Sequence, residues 1–265
     1  MSITEEQRLR FQRARDAIVQ PGERERNGIG TQMEKTVHAV CKQYVDPDPS
    51  HQEIPVGSYI ADIYDGEKIT EIQTGSFAPL RAKLSAFLPS HKVEILHPIP
   101  HEKWLTWIDP ESGALSRRTK SPVTGSFYHA FRELYQIRMF LKDPNLAVRL
   151  VLLDMEEYRL QDGWGRDGKR GSHRYDRIPE KLVDELVLRE AKDYNAFLPD
   201  NLPEQFTSRE FASLATRKKV RTVSPSTMLL VLSEQGVVTK TGKRGNSYLW
   251  SAAGQETEEN NIAGR

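Results

Sequence analysis

The chain of 265 residues has a single cysteine, no long apolar run and almost no net charge. The lone Cys41 cannot form an internal disulfide, which excludes a secreted disulfide framework. No run of about 18 apolar residues is present to span a membrane, and the N-terminus lacks the apolar core of a signal peptide. The histidines have no cysteine or histidine partners at zinc-site spacing. These absences predict a cytoplasmic protein without membrane association or a zinc site.

The formal net charge of +1 is an average over unlike parts of the chain. Residues 208–250 carry eight basic and two acidic side chains, a local net charge of +6. Residues 251–265 carry −2, so residues 1–207 carry −3. A basic segment joined to a mildly acidic body indicates nucleic-acid binding. No glycine-rich nucleotide loop or dinucleotide fingerprint is present, so no small-molecule cofactor is expected.

Local patterns predict an N-terminal helix within residues 1–27, which Thr4 caps, and an α/β body over residues 28–200. Asp65-Gly66 is a strong hairpin signal between two strands. The predicted elements of the body are a helix at 31–44, strands at 53–56, 58–64 and 68–74, a helix at 77–88, a strand at 92–99, a hairpin at 103–119, a helix at 127–141, a strand at 147–153, a loop at 162–177 and a helix at 179–197. This order predicts a mixed sheet with flanking helices.

Two acids interrupt strands that are otherwise suited to burial. Asp62 lies between Ala61 and Ile63, and Glu71 lies on the next strand of the same hairpin. Strand alternation puts Glu71 and Gln73 on one face. Acids are almost never buried unless they are paired or bind a metal, so two such carboxylates indicate a site for a hard divalent cation. The alternative is a solvent-facing strand edge where both acids are simply hydrated.

The order of helix, three strands carrying Asp…Glu-x-Gln, helix and strand resembles the PD-(D/E)XK nuclease superfamily over roughly residues 28–100. The resemblance implies a restriction-endonuclease-like fold, with Asp62 and Glu71 as the acids of the second and third strands. Glu34 matches the acid on the first helix, although Thr31 and Glu34 also form a capping-box pattern. Gln73 falls where the superfamily usually has lysine. Some restriction endonucleases of the superfamily also have glutamine at this place, in a Glu-x-Gln motif.

The resemblance implies Mg²⁺-dependent hydrolysis of DNA phosphodiesters. Asp62, Glu71 and the carbonyl of Ile72 would bind Mg²⁺, and Gln73 would position the attacking water, with Glu34 completing the catalytic set. Glutamine orients by hydrogen bonds but cannot supply the charge of lysine. The alternative is therefore a catalytically inactive, nuclease-like protein with a DNA-binding or regulatory role. The sequence leaves open whether the protein is an enzyme.

The glycine-rich loop that ends at residue 177 is a second basic feature. Arginine makes bidentate contacts with phosphate oxygens, and glycines allow close approach of the backbone. The basic residues predicted to contact nucleic acid are Arg166, Lys169, Arg170, Arg174 and Arg177. The alternative is a solvated loop whose charges pair internally with Asp162, Asp167 and Asp176.

The C-terminal segment predicts two helices followed by a basic hairpin. Thr207 or Ser208 caps the first helix, and Pro225 opens the second, which Gly236 terminates. Strands flank the tip Thr241–Asn246. This pattern resembles a winged helix-turn-helix domain over residues 203–251, followed by a polar tail, 252–265, that is predicted to be disordered.

The winged-helix resemblance implies DNA as the partner. Ser226 and Thr227 would face the groove, and Lys240, Lys243 and Arg244 of the wing would contact phosphates. The second helix is apolar and lacks Arg, Asn or Gln in its first turns, so a winged helix that contacts protein is the alternative. The sequence leaves open whether the protein forms a homodimer.

Overall fold

The computed structural model describes residues 3–19, 35–163, 173–215 and 223–253. The helices in these ranges are α1 (Glu5–Ile18), α2 (Lys35–Val45), α3 (Leu80–Phe87), α4 (Phe131–Gln136), α5 (Ser208–Ala215) and α6 (Pro225–Glu234). The strands are β1 (Gln52–Val56), β2 (Tyr59–Tyr64), β3 (Lys68–Ile72), β4 (Lys92–Ile108), β5 (Thr119–Lys120), β6 (Leu146–Leu160), β7 (His173–Leu188), β8 (Phe206–Thr207), β9 (Val238–Arg244) and β10 (Ser247–Ala252). In the part of the chain described, no helix has the length and apolar character needed to cross a membrane.

Within the described ranges, the main sheet has seven strands, ordered β1-β2-β3-β4-β6-β7, with the short β5 paired to β4. The β3–β4 and β4–β6 pairs are parallel, whereas the β1–β2, β2–β3, β4–β5 and β6–β7 pairs are antiparallel. The predicted mixed α/β sheet with flanking helices is thus confirmed.

Helices cover both faces of this sheet. On one face, α1 and α2 pack over an apolar cluster that includes Ile63 and Leu96. On the other face, α3 and α4 pack over a cluster that includes Ile69 and Ile95. Ile95 and Leu96 are adjacent on β4, and alternation sends their side chains to opposite faces. The body therefore has three layers, with the parallel strands in the middle.

The C-terminal elements form a smaller unit with a sheet in the order β8-β10-β9. Helices α5 and α6 lie beside this sheet, and their buried side chains Phe211 and Leu232 belong to the same apolar cluster as Leu134 of α4. An ion pair of 3.3 Å between Arg138 and Glu234 also joins α6 to the body. The C-terminal unit is therefore packed against the face of the sheet that α3 and α4 cover.

The predicted turns and helix ends that depend on only a few adjacent residues are confirmed. The β2–β3 hairpin turns at Asp65-Gly66, where Gly66 has a φ of 91°. Pro225 opens α6, and Gly236, with a φ of 76°, follows its end. Thr207 caps α5, because its hydroxyl accepts from the amide of Glu210 at 3.3 Å.

Three predictions about longer segments are wrong. The predicted helix at 179–197 is instead the second half of β7 followed by a 3-10 helix at Ala191–Phe197. Strand β6 continues to Leu160, seven residues beyond the predicted end at residue 153. The predicted loop at 162–177 gives way to β7 at His173. In each case pairing with a distant strand overrides the local pattern.

Replacing Thr4 with alanine is expected to lower the free energy of unfolding by about 1 kcal/mol. The hydroxyl of Thr4 accepts from the amide of Gln7 at 3.1 Å, and the side chain of Gln7 accepts from the amide of Thr4 at 2.8 Å. Urea unfolding followed by circular dichroism measures the change. Thr4→Ser keeps the hydroxyl and serves as the control; a Thr4→Ala protein as stable as the control would contradict the capping role.

Candidate active site

The structure brings Asp62 and Glu71 together where β2 and β3 stop pairing. The register pairs Ile63 with Thr70 and Tyr64 with Ile69, and Asp62 immediately precedes Ile63 on β2. Its Oδ2 accepts a hydrogen bond of 2.7 Å from the amide of Ile72. The carboxylate therefore connects the two strands through a side chain at the point where the backbone ladder ends.

His38 of α2 holds the Asp62 carboxylate from the other side. Its Nε2 lies 3.2 Å from Oδ2 of Asp62. Burial alone would raise the pKa of Asp62, but the hydrogen bond and charge of His38, the amide of Ile72 and the charge of Lys83 outweigh burial and lower it. Asp62 is thus kept ionised. Sequence reasoning did not place His38 at this site.

Glu71 is buried, with 4% of its side chain exposed. Oε2 accepts from Nζ of Lys83 at 2.7 Å. Oε1 is also buried and has no hydrogen-bond partner among the described residues. Burial, followed by the nearby charge of Asp62, raises the pKa of Glu71 to about 7 against the lowering effect of Lys83. A hydrated strand edge therefore does not describe Glu71.

Lys83 is a second site residue that sequence reasoning missed. Besides Glu71, its ammonium group donates to the carbonyl of Ile60 at 2.8 Å. Lys83 lies three residues after Leu80 and four before Phe87, both of which are buried. Residues at these spacings share one face of a helix, so Lys83 points toward the sheet. That spacing was the available signal.

Gln73 directly follows β3, and its main chain is anchored to β4. Its amide donates to the carbonyl of Leu96 at 2.9 Å, and its carbonyl lies 2.6 Å from Nδ1 of His97. The side-chain amide donates to the carbonyl of Ser76 at 2.5 Å. The Gln73 side chain is therefore engaged with the turn that leads to α3, and its role toward a water molecule stays a prediction.

The other proposed members of the site are less defined. Ile72 packs its side chain with α1 and α2, as alternation predicted, and the role of its carbonyl as a ligand stays a prediction. Glu34 lies outside the described residues, so its catalytic role and its helix-capping role both stay predictions. Among the residues described, no group of three or more His, Cys, Asp and Glu side chains could hold a metal ion.

The basic residues proposed for the body fall into two groups. Arg166, Lys169 and Arg170 lie outside the described residues. Arg174 and Arg177 lie on β7, and Arg177 is buried with 6% exposure. Arg174 lies 3.9 Å from the fully buried carboxylate of Glu157. Arg177 therefore does not lie on a solvated loop, and any ligand would have to reach it through a cavity.

The cations of the C-terminal wing lie on the exposed strand β9. Lys240 lies 3.6 Å from the ring centre of Tyr248, and Lys243 lies 5.1 Å from it. Arg244 pairs with Glu210 at 2.9 Å. Ser226 is exposed on α6 and Thr227 is half-buried. The exposed groups are available to a partner, whereas the buried face of α6 is committed to packing.

Comparisons with known proteins point to one family. A protein from Treponema pallidum (strain Nichols) that carries the description "Uncharacterized protein" is 29% identical over 227 residues, which cover 84% of this chain and 86% of the relative. No solved structure matches the chain significantly. A family described as "Domain of unknown function (DUF8091)" matches residues 35–189, the range that holds His38, Asp62, Glu71 and Lys83. Because this match spans more than half of the 265 residues, the chain belongs to the DUF8091 family.

Proposed function

We propose that the protein is a metal-dependent DNA endonuclease that hydrolyses phosphodiester bonds and is recruited to DNA by a C-terminal winged-helix unit. One observation carries this proposal. At the edge where β2 and β3 diverge, the buried carboxylate of Glu71 pairs with the ammonium group of Lys83, and the ionised carboxylate of Asp62 lies close enough to raise the pKa of Glu71. Acids with perturbed pKa values beside a cation are typical of catalytic sites.

The topology supports a restriction-endonuclease-like body. From α2 to β4 the order is helix, three antiparallel strands, helix and a strand parallel to β3. This is the order on which the resemblance to PD-(D/E)XK nucleases rests. Asp62 and Glu71 lie on the second and third strands of that order, as the superfamily pattern requires.

The donor set fits a hard divalent cation. Oε1 of Glu71 is a buried oxygen with no hydrogen-bond partner among the described residues, and the Asp62 carboxylate is its ionised neighbour. Buried carboxylate oxygens left without donors favour a cation as the missing partner. A Mg²⁺ ion held by Asp62 and Glu71 would lower the pKa of a bound water and neutralise charge on the scissile phosphate.

The residues around the acids supply the remaining chemistry. Lys83 brings the positive charge that Gln73 lacks, from α3 in place of β3. A fixed ammonium group beside a reacting phosphate stabilises the negative charge that develops in the transition state. His38 keeps Asp62 ionised, so that this carboxylate is ready to bind a cation at neutral pH.

The C-terminal unit supports recruitment to DNA. The sheet order β8-β10-β9, with α5 and α6 between β8 and β9 in the chain, is compatible with a winged helix whose wing is the β9–β10 hairpin. Lys240 and Lys243 lie on the exposed β9 beside the half-exposed ring of Tyr248. Exposed lysines would neutralise phosphates without reading the sequence, so binding should weaken as salt rises.

A second candidate, a catalytically inactive nuclease-like protein that binds DNA or regulates, is favoured by a different observation. Lys83 already pairs with one oxygen of Glu71, and the side chain of Gln73 is bonded to Ser76. An ammonium group paired with the acid competes with a metal for it. In this candidate the wing would bind DNA, and the acid pair would only stabilise the end of the hairpin.

Calorimetric titration with Mg²⁺ tests the site. Wild-type protein is expected to bind Mg²⁺, and Asp62→Asn is expected to weaken that binding by at least about tenfold, because a charged oxygen ligand is lost. Asp65→Asn provides the matched control. Asp65 lies in the exposed turn of the same hairpin and accepts from the amides of Glu67 and Lys68, a role that asparagine can keep.

The Mg²⁺ titration and a DNA-binding assay together separate the candidates. Mg²⁺ binding that Asp62→Asn removes and Asp65→Asn leaves unchanged would support the metal-dependent enzyme. Absence of binding by the wild type, or equal losses in both variants, would overturn it. Tight binding of duplex DNA without Mg²⁺ binding would favour the inactive, DNA-binding candidate.

A further inference from the structure

A cavity of about 250 Å³ opens beside the candidate active site at the end of β3. Thr74 lines it, one residue beyond Gln73, and β4 contributes His97 and Lys103. His129 and Arg177 complete its polar lining. None of the described residues that line this cavity is acidic. Two cations and two imidazoles without a carboxylate favour an anion over a metal ion.

Lys103 belongs to a cluster of basic side chains around one buried acid. Lys103 donates to the fully buried carboxylate of Glu157 at 2.9 Å. The same carboxylate accepts from Arg159 at 2.6 Å and lies 3.9 Å from Arg174. One buried acid therefore faces three cations. Lys103 can turn toward a ligand while Glu157 keeps a close arginine partner.

One of the two histidines presents an acceptor to the cavity, and the other presents a donor. Nδ1 of His97 lies 2.6 Å from the carbonyl of Gln73, and because a carbonyl only accepts, Nδ1 carries the hydrogen. Burial, with the charge of Arg177, lowers the pKa of His97 to about 4, so the ring is neutral and Nε2 accepts. Nδ1 of His129 accepts from the amide of Ser126 at 3.0 Å, so Nε2 carries the hydrogen and can donate to a ligand.

We propose that this cavity binds a phosphate group that carries a hydroxyl hydrogen. Lys103 and Arg177 donate to its oxygens, and Nε2 of His97 accepts from the hydroxyl. Sulfate has the same shape but carries no hydrogen near neutral pH, so the histidine acceptor discriminates against it. The phosphate is either free inorganic phosphate or the terminal phosphate of a nucleic acid; only the second source rests on the proposed function, because the cavity adjoins Gln73.

Calorimetric titration with inorganic phosphate at pH 6, without divalent metal, tests the proposal. Wild-type protein is expected to bind phosphate at least about tenfold more tightly than sulfate, and Lys103→Gln is expected to lose about tenfold in phosphate affinity. Lys120→Gln removes the same charge from the neighbouring strand β5, where Lys120 pairs with Glu102 at 2.7 Å outside the cavity. This control is expected to stay within about twofold of the wild type.

A second variant keeps the test independent of the Glu157 pair. Val123 lines the cavity and is 51% exposed, so Val123→Glu adds a negative charge at the rim without disturbing the core. It is expected to weaken phosphate binding by at least about tenfold. Leu115→Glu adds the same charge at a residue that is 60% exposed and outside the lining, and should bind like the wild type. Circular dichroism of all four variants checks that they fold.

Oligonucleotides distinguish the two sources of the phosphate. At pH 6 about half of a terminal phosphomonoester carries a hydrogen. If an oligonucleotide with a 5′-phosphate displaces inorganic phosphate and its 5′-hydroxyl counterpart does not, the source is a nucleic-acid end. If neither displaces it, the ligand is free phosphate. Absence of phosphate binding by the wild type, equal affinity for sulfate, or unchanged affinity in both Lys103→Gln and Val123→Glu would overturn the proposal.

The same titration on Glu71→Gln separates this proposal from the proposed function. Glu71 lies outside the cavity lining. Phosphate binding that persists in Glu71→Gln is therefore expected, whether or not the protein cleaves DNA. Loss of phosphate affinity in this variant would contradict a cavity site independent of the acid pair.

Discussion

Replacing Lys83 with methionine is expected to lower the rate of metal-dependent DNA cleavage by about 100- to 1,000-fold. The variant removes the ammonium group that lies 2.7 Å from Oε2 of Glu71. That group supplies the positive charge that a glutamine at position 73 cannot. Methionine has a similar length and no charge, so the packing of α3 is kept. Single-turnover cleavage of a labelled duplex measures the effect.

Mg²⁺ binding should behave differently from cleavage in this variant. Lys83 competes with a metal for Glu71, so Lys83→Met is expected to bind Mg²⁺ at least as tightly as the wild type. Lys92→Met, which removes a charge from an exposed residue at the start of β4, is the matched control and should cleave normally. Cleavage at the wild-type rate in Lys83→Met would contradict the catalytic role given to Lys83.

Replacing Gly125 with alanine is expected to lower the free energy of unfolding by about 3 kcal/mol. A Cβ atom at this position would lie 1.8 Å from the carbonyl oxygen of Pro100 and 2.9 Å from its carbon. Both are backbone atoms of β4, so no side chain can rotate away. The amide of Gly125 also donates to the carbonyl of His101 at 2.7 Å, which fixes the loop against the strand. Chemical denaturation measures the loss.

Gly75→Ala is the control for this effect. A Cβ atom at Gly75 would meet nothing within 4 Å, and its φ is outside the positive region. Alanine there is expected to leave stability unchanged or to raise it by less than about 1 kcal/mol, by restricting the unfolded chain. Equal stabilities of Gly125→Ala and Gly75→Ala would show that the loop does not lie against β4 as described.

Features set by neighbouring residues could be predicted from the sequence. The turn at Asp65-Gly66 needs a residue that tolerates positive φ, and the start of α6 needs a residue such as Pro225 whose φ is fixed. The capping of α1 by Thr4 and of α5 by Thr207 likewise depends on residues within one turn. These determinants act over a few positions, so the printed order of residues is enough to identify them.

The segment after residue 178 could not be predicted in the same way. Ile178, Leu182 and Leu186 recur at four-residue spacing, which is typical of a helix. In the structure they lie on β7, which pairs with β6 through register shifts at Leu152/Leu153 and Asp154/Met155. Four is also a multiple of the two-residue repeat of a strand, so this spacing fits a strand as well as a helix, and the register shifts further obscure the alternation along β7. Only pairing with the distant β6 resolves the ambiguity.

In the candidate site, too, only the residues fixed by local structure could be predicted from the sequence. Asp62 and Glu71 could be paired from the sequence because one short hairpin fixes their positions relative to each other. His38 and Lys83 reach the acids from α2 and α3, which lie on opposite faces of the sheet. A lone histidine or lysine on a helix does not indicate a partner, because the contact depends on how the helix docks. The cavity at His97 and Arg177 depends in the same way on the approach of β7 and the loop at Gly125.

The incubation of supercoiled plasmid with the protein and Mg²⁺ tests the central claim most directly. We predict nicked and linear products with the wild type, none when the metal is chelated, and none from Asp62→Asn or Glu71→Gln that remain folded. Asp65→Asn should cleave like the wild type. A plasmid that stays intact with Mg²⁺ over a wide range of wild-type concentrations, or cleavage that persists in both acid variants, would contradict the assignment of this site as a nuclease centre.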